Sequence, residues 1–189
     1  MIAATPLRPL LRSRLAQRMK SRLVEMPAEL VPEVLATLEE AGVRAWLAGG
    51  WGVDALLGEQ TRPHRDLDLV FDADSDGEQR ALAALAALDL RVMGREPVRT
   101  HWWSERIALS DAQGHVVDLH PVSGEAFIAT VGAGAFVTGK VAGRPVSCLA
   151  RSVQLRLHEG YEPTEADRAD VALLRERGAP SSPAGAEGP

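Results

Sequence analysis

The sequence predicts an α+β fold in which a small, mostly antiparallel or mixed sheet is flanked by helices. Short apolar runs bounded by glycine, proline and aspartate alternate with segments whose apolar residues recur at helical spacing. Two pairs of such runs in the second half are separated by short turns, as in hairpins. The chain has 189 residues and is 46% hydrophobic, which is enough for one core.

The first half alternates helices and strands. The predicted elements are a helix beginning at Pro27 and ending before Gly42, a strand over 43–48, a short helix over 51–57, a strand over 66–71 and an Ala/Leu-rich helix over 77–88. Gly49 and Gly50 are expected to turn the chain between the first strand and the short helix.

The second half is predicted to contribute most of the antiparallel pairing. Its predicted elements are a weak strand over 90–93, a strand within 99–109, a return strand over 115–122, an irregular Gly/Ala-rich stretch over 123–135, hairpin strands over 136–140 and 144–148, a helix over 150–158 and a last helix capped by Thr164 and running to Arg177.

Composition divides the chain into three parts. Residues 1–22 form a basic leader, expected to be disordered or helical, because six basic residues precede the first acid, Glu25. Residues 23–177 form the folded domain. Residues 178–189 contain mostly glycine, proline, alanine and serine, and a disordered tail is expected there.

Charge and cysteine content narrow the class of protein. The formal net charge is −5, and the positive charge is concentrated in the leader, so no long nucleic acid is expected as a partner. A single cysteine, Cys148, cannot form an internal disulfide and favours a reducing compartment. The sequence contains no apolar run long enough to predict a membrane span. An arginine- and alanine-rich composition is typical of a GC-rich bacterial genome, so we expect a bacterial cytoplasmic protein.

Asp66 and Asp68 are the most informative residues of the chain. Side chains two apart in a strand point to the same face, about 6.6 Å apart along the backbone. Two carboxylates placed in this way can converge on a pair of metal ions about 3.5–4 Å apart. Asp118 lies within a second apolar strand and is the candidate third carboxylate, because a buried charge needs compensation. For Asp118 alone, a salt-bridged aspartate at a strand end is an equal alternative.

The Gly49-Gly50 pair is the candidate phosphate-binding turn. Without Cβ atoms its backbone N–H groups can approach phosphates, and the helix that follows offers its N-terminus, so Gly49, Gly50 and Trp51 are the candidate nucleotide-binding residues. Together with magnesium held by Asp66, Asp68 and Asp118, this arrangement predicts metal-assisted phosphoryl or nucleotidyl transfer from a triphosphate to an acceptor hydroxyl. Asp118 is placed to take the hydroxyl proton, as a base or as a metal ligand that orients the nucleophile.

Several polar residues flank these carboxylates. Arg65 is a candidate for contact with phosphate oxygens, whereas Arg62 is more simply explained as a solvated loop residue. His64 and His120 are expected to support the carboxylates by hydrogen bonds, with His120 on the same strand face as Asp118. For Asp54, helix capping or a salt bridge is favoured over metal binding. The adjacent His101, Trp102 and Trp103 either wall an acceptor pocket, stack on a base, or pack in the core.

Together these segments resemble nucleotidyltransferases of the polymerase-β-like superfamily, and more closely the small lincosamide nucleotidyltransferases among the antibiotic nucleotidyltransferases. The segments that carry the resemblance are Trp46-Leu47-Ala48-Gly49-Gly50-Trp51-Gly52-Val53-Asp54, His64-Arg65-Asp66-Leu67-Asp68, His101-Trp102, Asp118-Leu119-His120-Pro121, His158-Glu159-Gly160-Tyr161 and Thr164-Glu165-Ala166-Asp167. They span roughly residues 43–175 and omit both tails.

The resemblance implies transfer of a nucleoside monophosphate, usually AMP from ATP, to a drug hydroxyl. It implies two Mg²⁺ ions held at Asp66, Asp68 and Asp118, with Asp118 as base, and a homodimer. An aminoglycoside is the main alternative acceptor. Because it is a polycation, its binding pocket would need several acidic residues, and residues 123–148 contain one, Glu125. Further alternatives are an enzyme that acts on another natural product, a toxin-like transferase that modifies RNA, and a nucleotide-binding fold without catalysis.

Overall fold

The computed structural model describes residues 24–98, 104–159 and 162–177. Its helices are α1 (Leu30–Glu40), α2 (Gly49–Leu57), α3 (Gly77–Ala86), α4 (Gly124–Val131), α5 (Arg151–Leu157) and α6 (Glu165–Arg177). Its strands are β1 (Ala45–Leu47), β2 (Asp66–Asp72), β3 (Arg91–Pro97), β4 (Glu105–Ser110), β5 (Val116–Val122), β6 (Phe136–Val141) and β7 (Arg144–Leu149). A 3₁₀ turn at Ala133–Ala135 joins α4 to β6.

The seven strands of the described residues form one mixed sheet in the order β3-β4-β5-β2-β1-β7-β6. Strands β2 and β5 are parallel, as are β1 and β7, and the other neighbours are antiparallel. Parallel pairing of β2 with β5 places the beginnings of the two strands at the same end of the sheet. The α+β class and the mixed sheet are therefore confirmed.

The sheet has one apolar face and one face that becomes polar at the start of β2. Leu67, Leu69 and Phe71 point into the main core, which α1 and α3 cover, and each is fully buried. Val70 points the other way, into a smaller cluster that includes residues of α4 and α5. Because strand side chains alternate, Asp66 and Asp68 share the face of Val70 and lie just beyond this smaller cluster.

Three predicted elements differ from the structure. Helix α1 begins at Leu30, after a turn in which the Leu30 N–H donates to the Pro27 carbonyl. Helix α2 begins at Gly49, so the glycine pair forms its first turn and does not precede it. The stretch predicted to be irregular over 123–135 contains α4. Its first N–H, at Gly124, donates to the carboxylates of Asp72 and Asp74, which are distant in sequence.

The remaining elements agree with prediction within a few residues. Strands β6 and β7 form the expected hairpin, and β4 and β5 pair antiparallel around the Ser110–Gly114 turn. Thr164 caps α6, since its hydroxyl accepts from the Asp167 N–H at 3.2 Å. No helix in the described part of the chain combines the length and apolarity that crossing a bilayer requires. The leader, the tail and the segment His101–Trp103 lie outside the described residues.

Candidate active site

The carboxylates of Asp68 and Asp118 lie side by side. Strands β2 and β5 pair in parallel with Asp68 opposite Asp118, so the two side chains leave neighbouring strands on the same face. Asp118 is only 4% exposed, whereas the Asp68 side chain is 32% exposed. Asp66 lies two residues earlier on the same face of β2 and is exposed. The sheet thus assembles the three carboxylates into one surface that becomes more buried from Asp66 to Asp118.

The N-terminus of α2 opens beside these carboxylates. Strand β1 is antiparallel to β2, so the chain leaves β1 next to the start of β2, where the Ala48 N–H donates to the Asp68 carbonyl at 3.0 Å. Gly49 has φ +57°, and a Cβ at this position would overlap Oδ2 of Asp68. A Cβ at Gly50 would overlap His64 and Arg62. The first N–H groups of a helix lack partners within it, so the N–H groups at the start of α2, next to the acids, are suited to bind an anion.

The side chain of Trp51 is not available to a ligand at this turn, so a contribution of Trp51 to phosphate binding would come from its backbone N–H. Its side chain is 1% exposed and packs on the His64 ring, with the ring centroids 4.5 Å apart. His64 in turn lies 2.5 Å from Oδ2 of Asp54 through Nε2. Thr61 donates to the other oxygen of Asp54 from both its backbone N–H and its hydroxyl. Asp54 is therefore a buried structural acceptor that fixes the loop before β2, as expected.

Arg62 is not the solvated loop residue that the sequence favoured. Its guanidinium donates through Nε and Nη2 to both oxygens of Asp170, at 3.1 and 2.6 Å. Asp170 is 1% exposed on α6, so this bidentate pair fastens the C-terminal helix to the loop that leads into β2, the strand of Asp66 and Asp68. Arg65, by contrast, is exposed beside Asp66 and forms no ion pair within the described residues.

His120 and Arg106 complete the polar face. His120 Nε2 lies 3.2 Å from Oδ1 of Asp68, which fits the supporting role expected for it. Arg106, on β4, forms an ion pair with Asp118 through Nε at 2.8 Å from Oδ2. Arg106 was not among the site residues predicted from the sequence. Its alternation with buried Ile107 and Leu109 is the signal that would have placed it on the same face as Ala108, the β4 partner of Asp118.

The acids disturb one another's ionisation. Burial raises the pKa of the Asp118 carboxyl to about 7, and the charge of Asp68 adds to this while Arg106 opposes it. The pKa of Asp66 rises to about 6, first through desolvation by the protein atoms packed around it, although its side chain still reaches solvent, and second through the charge of Asp68. Closely placed carboxylates that resist simultaneous ionisation are typical of functional sites, and they attract cations.

The residues present fit a hard divalent cation. Oδ1 of Asp118 is buried and has no hydrogen-bond partner among the described residues, and such an oxygen is a suitable magnesium ligand. Oδ2 of Asp68 occupies the space that a Cβ at Gly49 would fill, so the glycine makes room for this carboxylate. In the present side-chain arrangement, no three His, Cys, Asp or Glu residues in the described ranges lie close enough together to hold a metal, and this includes the three candidate carboxylates. Binding would therefore require side-chain adjustment.

The family of the chain follows from comparison with known proteins. The model of the aminoglycoside-2''-adenylyltransferase family matches residues 30–174, which include every candidate described above. The chain belongs to this family. A curated relative, the lincosamide resistance protein of Staphylococcus haemolyticus, is 31% identical over 153 residues, covering 75% of this chain and 90% of the relative. The resemblance identified from the sequence is thus confirmed.

Other members have names that refer to aminoglycosides. A 2''-aminoglycoside nucleotidyltransferase of Klebsiella pneumoniae is 31% identical over 135 residues, covering 63% of this chain and 65% of that protein. The family fold is also shared with solved structures. Lincosamide antibiotic adenylyltransferase LnuA bound to lincomycin superposes with a TM-score of 0.64 at 27% identity, covering 81% of this chain and 99% of LnuA. ANT(2'')-Ia in complex with adenylyl-2''-tobramycin gives 0.61 at 25% identity, covering 80% and 89%.

Proposed function

We propose that this protein transfers a nucleoside monophosphate, AMP from ATP, to a hydroxyl of a lincosamide antibiotic and releases pyrophosphate. The observation that carries the proposal is the pairing of Asp68 with Asp118 on parallel strands, directly beside the glycine-opened N-terminus of α2. Carboxylates and a phosphate cradle at this separation are the two halves of a nucleotidyl-transfer site, and the family of the chain supports the same reaction.

Asp66, Asp68 and Asp118 would hold two Mg²⁺ ions. When bound, these ions would neutralise the charge that develops on the phosphate oxygens during in-line displacement. The backbone N–H groups of Gly49, Gly50 and Trp51 would donate to the triphosphate. Arg65 is exposed next to Asp66, from where its guanidinium would reach the phosphate oxygens at the mouth of the cleft.

Asp118 would accept the proton of the attacking hydroxyl or orient that hydroxyl. Its buried position and its pKa of about 7 in the metal-free protein suit a group that exchanges a proton near neutral pH. His120 would keep the neighbouring Asp68 in position through the contact between Nε2 and Oδ1. The remaining rate enhancement would come from placing the acceptor hydroxyl in line with the α-phosphate.

The lincosamide acceptor is preferred for two reasons. The match with this chain spans 90% of the lincosamide resistance protein of S. haemolyticus and 99% of LnuA. An aminoglycoside is polycationic and would need several acids, whereas Glu125 is the one acid in 123–148. The family description and the Klebsiella relative nevertheless favour an aminoglycoside as a second candidate function.

A label-transfer assay tests the reaction and separates the acceptors. The protein is incubated with Mg²⁺ and α-labelled ATP, with lincomycin, tobramycin or bulk tRNA as acceptor. Label is expected on lincomycin. Transfer to tobramycin alone would replace the lincosamide proposal with the aminoglycoside one, and transfer to none of the three would contradict both. GTP, CTP and UTP in place of ATP test the proposed donor.

Asp118→Asn tests the assigned role of the third carboxylate. Removing a base that is also a ligand is expected to lower kcat/KM for label transfer by about 10²–10⁴-fold. Asp76→Asn serves as the control, because Asp76 is an exposed residue at the start of α3, beyond the end of β2 opposite to Asp66, and it should retain activity. Near-normal turnover in Asp118→Asn would show that Asp118 is not the proton acceptor.

We also propose a cytoplasmic homodimer, since ATP as donor is abundant in the cytoplasm and the resemblance implies a dimer. Light scattering coupled to size-exclusion chromatography is expected to give twice the chain mass of 20.3 kDa. A monomeric mass across the micromolar range would contradict the dimer and leave the reaction unaffected.

A further inference from the structure

Arg106 holds a central place in the cleft that none of the roles above explains. It lies on β4, two residues before Ala108, which pairs with Asp118 in the sheet. Its Nε lies 2.8 Å from Oδ2 of Asp118. Asp118 is almost fully buried, and a buried carboxylate without a partner is strongly destabilising. Arg106 therefore supplies part of the positive charge that an ionised Asp118 needs before any divalent cation binds.

The ion pair leaves one half of Asp118 unused. Oδ2 faces Arg106, whereas Oδ1 is buried without a hydrogen-bond partner in the described part of the chain. A divalent cation at Oδ1 would lie only a few ångströms from the guanidinium, and like charges at that separation repel strongly. A metal ion bound to Asp118 would therefore compete with Arg106 for this carboxylate.

The surroundings of Arg106 allow it to move. Its side chain is 33% exposed, and its second partner is Glu96 on β3, whose side chain is 51% exposed. The Arg106 Nη1 donates to Glu96 Oε2 at 3.2 Å, a solvent-accessible contact that costs little to break or remake. The remaining guanidinium donors are available to an anionic group that enters the cleft.

We propose that Arg106 is a positioning residue: it neutralises Asp118 before substrate binds, and it passes to a phosphate group of the nucleotide when the metal-loaded nucleotide enters. This inference rests on the proposed function, because it assigns a further residue to the same site. By linkage, Arg106 makes metal binding weak without nucleotide and couples the two, so that the carboxylates gather around metal only when the donor substrate is present.

The first test measures Mn²⁺ binding to the nucleotide-free protein by electron paramagnetic resonance. Arg106→Gln removes the competing charge, so Mn²⁺ is expected to bind about tenfold more tightly than to the unmodified protein. Arg106→Lys keeps the charge and is expected to bind Mn²⁺ within about twofold of the unmodified protein.

Arg95→Gln is the matched control for net charge. Arg95 also lies on the β3–β4 hairpin and is ion-paired with Glu78 and Glu105. It pairs with Ile107, whose side chain points to the core side, so Arg95 lies on the face opposite to Arg106. Its substitution should leave Mn²⁺ affinity unchanged. Equal tightening in Arg95→Gln and Arg106→Gln, or none in either, would overturn the proposal.

A second measurement uses the unmodified protein and does not depend on how well Arg106→Gln folds. The Arg106 Nε–H resonance is assigned by its loss in Arg106→Lys. Addition of Mg²⁺ with a non-hydrolysable ATP analogue is expected to move this resonance, as the guanidinium leaves Asp118 for phosphate. An unchanged resonance at saturating nucleotide would overturn the proposal.

The outcomes also separate this inference from the proposed function. Label transfer to an antibiotic with no difference between Arg106→Gln and Arg95→Gln would leave the function standing and remove the role of Arg106. Failure of the unmodified protein to bind either Mn²⁺ or nucleotide would overturn both.

Discussion

At the scale of the residue, Gly49 combines two constraints that are usually separate. Its φ of +57° favours glycine, and the position where a Cβ would stand is filled by the carboxylate of Asp68. The first constraint concerns the stability of the turn into α2. The second concerns the shape of the site, because any side chain at this position pushes against a candidate metal ligand.

Gly49→Ala is therefore expected to lower activity more than stability. A non-glycine residue in left-handed backbone costs about 1–2 kcal/mol, whereas displacement of Asp68 should reduce label transfer by about 10²-fold or more. Gly42→Ala is the matched control, because Gly42 has φ +71° and no atom within 4 Å of the position of a Cβ. Comparable activity in the two variants, measured alongside thermal melts, would show that the contact with Asp68 is unimportant.

At the scale of the element, α6 is joined to the site by one buried ion pair. Asp170 of α6 and Arg62 of the loop before β2 lie 108 positions apart in the chain and form two hydrogen bonds. The Asp170 side chain is 2% exposed and that of Arg62 is 32% exposed. The pair fixes Arg62 close to Gly50, so the C-terminal helix helps to shape the turn that we propose as the phosphate cradle.

Asp170→Asn is expected to destabilise the protein by about 3 kcal/mol, because Arg62 would lose its charged partner in a partly buried position. The KM for ATP should rise as well, as the loop beside Gly50 loses its tether. Asp76→Asn is the control, since it breaks an exposed pair with Arg80 worth about 0.5 kcal/mol or less. Urea unfolding of both variants checks this, and equal losses would mean that the buried pair adds nothing.

At the scale of the whole molecule, burial of the ionisable Asp118 lowers the free energy of unfolding of the metal-free protein. The pKa of Asp118 in the folded protein is raised to about 7, well above its ordinary value near 4. The folded state therefore holds this proton more tightly than the unfolded chain. Between pH 4 and pH 7 the unfolded chain gives up the proton first, so this group lowers folding stability as the pH rises through that window.

Opposite pH dependences are expected for two substitutions. With EDTA present, Asp118→Asn should gain stability relative to the unmodified protein as the pH rises from 4 to 7. The pKa of Asp111 is lowered: burial raises it, but hydrogen bonds from His115 and Gly114 outweigh that effect. Asp111→Asn should therefore lose stability above about pH 4, with the difference closing as the pH falls through the folded-state pKa. Melting temperatures are measured across this range. If both variants changed in the same direction relative to the unmodified protein as the pH rises, the pKa shifts of Asp118 and Asp111 would be contradicted.

Much of the sheet and part of the site were predictable from the sequence. Alternation in Asp66–Phe71 placed both acids on one face, because strand geometry is local and leaves no other arrangement. The helix start at Gly49 and helix α4 were not predictable. The first depends on how β1 delivers the chain beside β2, and the second on Asp72 and Asp74, which hold the first N–H of α4 from far along the chain.

The sequence by itself determined the type of chemistry, because only the spacing of glycines and aspartates along short segments was needed. The tertiary structure decided which charges meet. Asp118 faces Asp68 because β2 and β5 pair in parallel, and Arg106 and Arg62 find their acids through strand register and helix docking. Ion pairs between distant segments depend on the relative placement of whole elements, and packing of the complete core sets that placement.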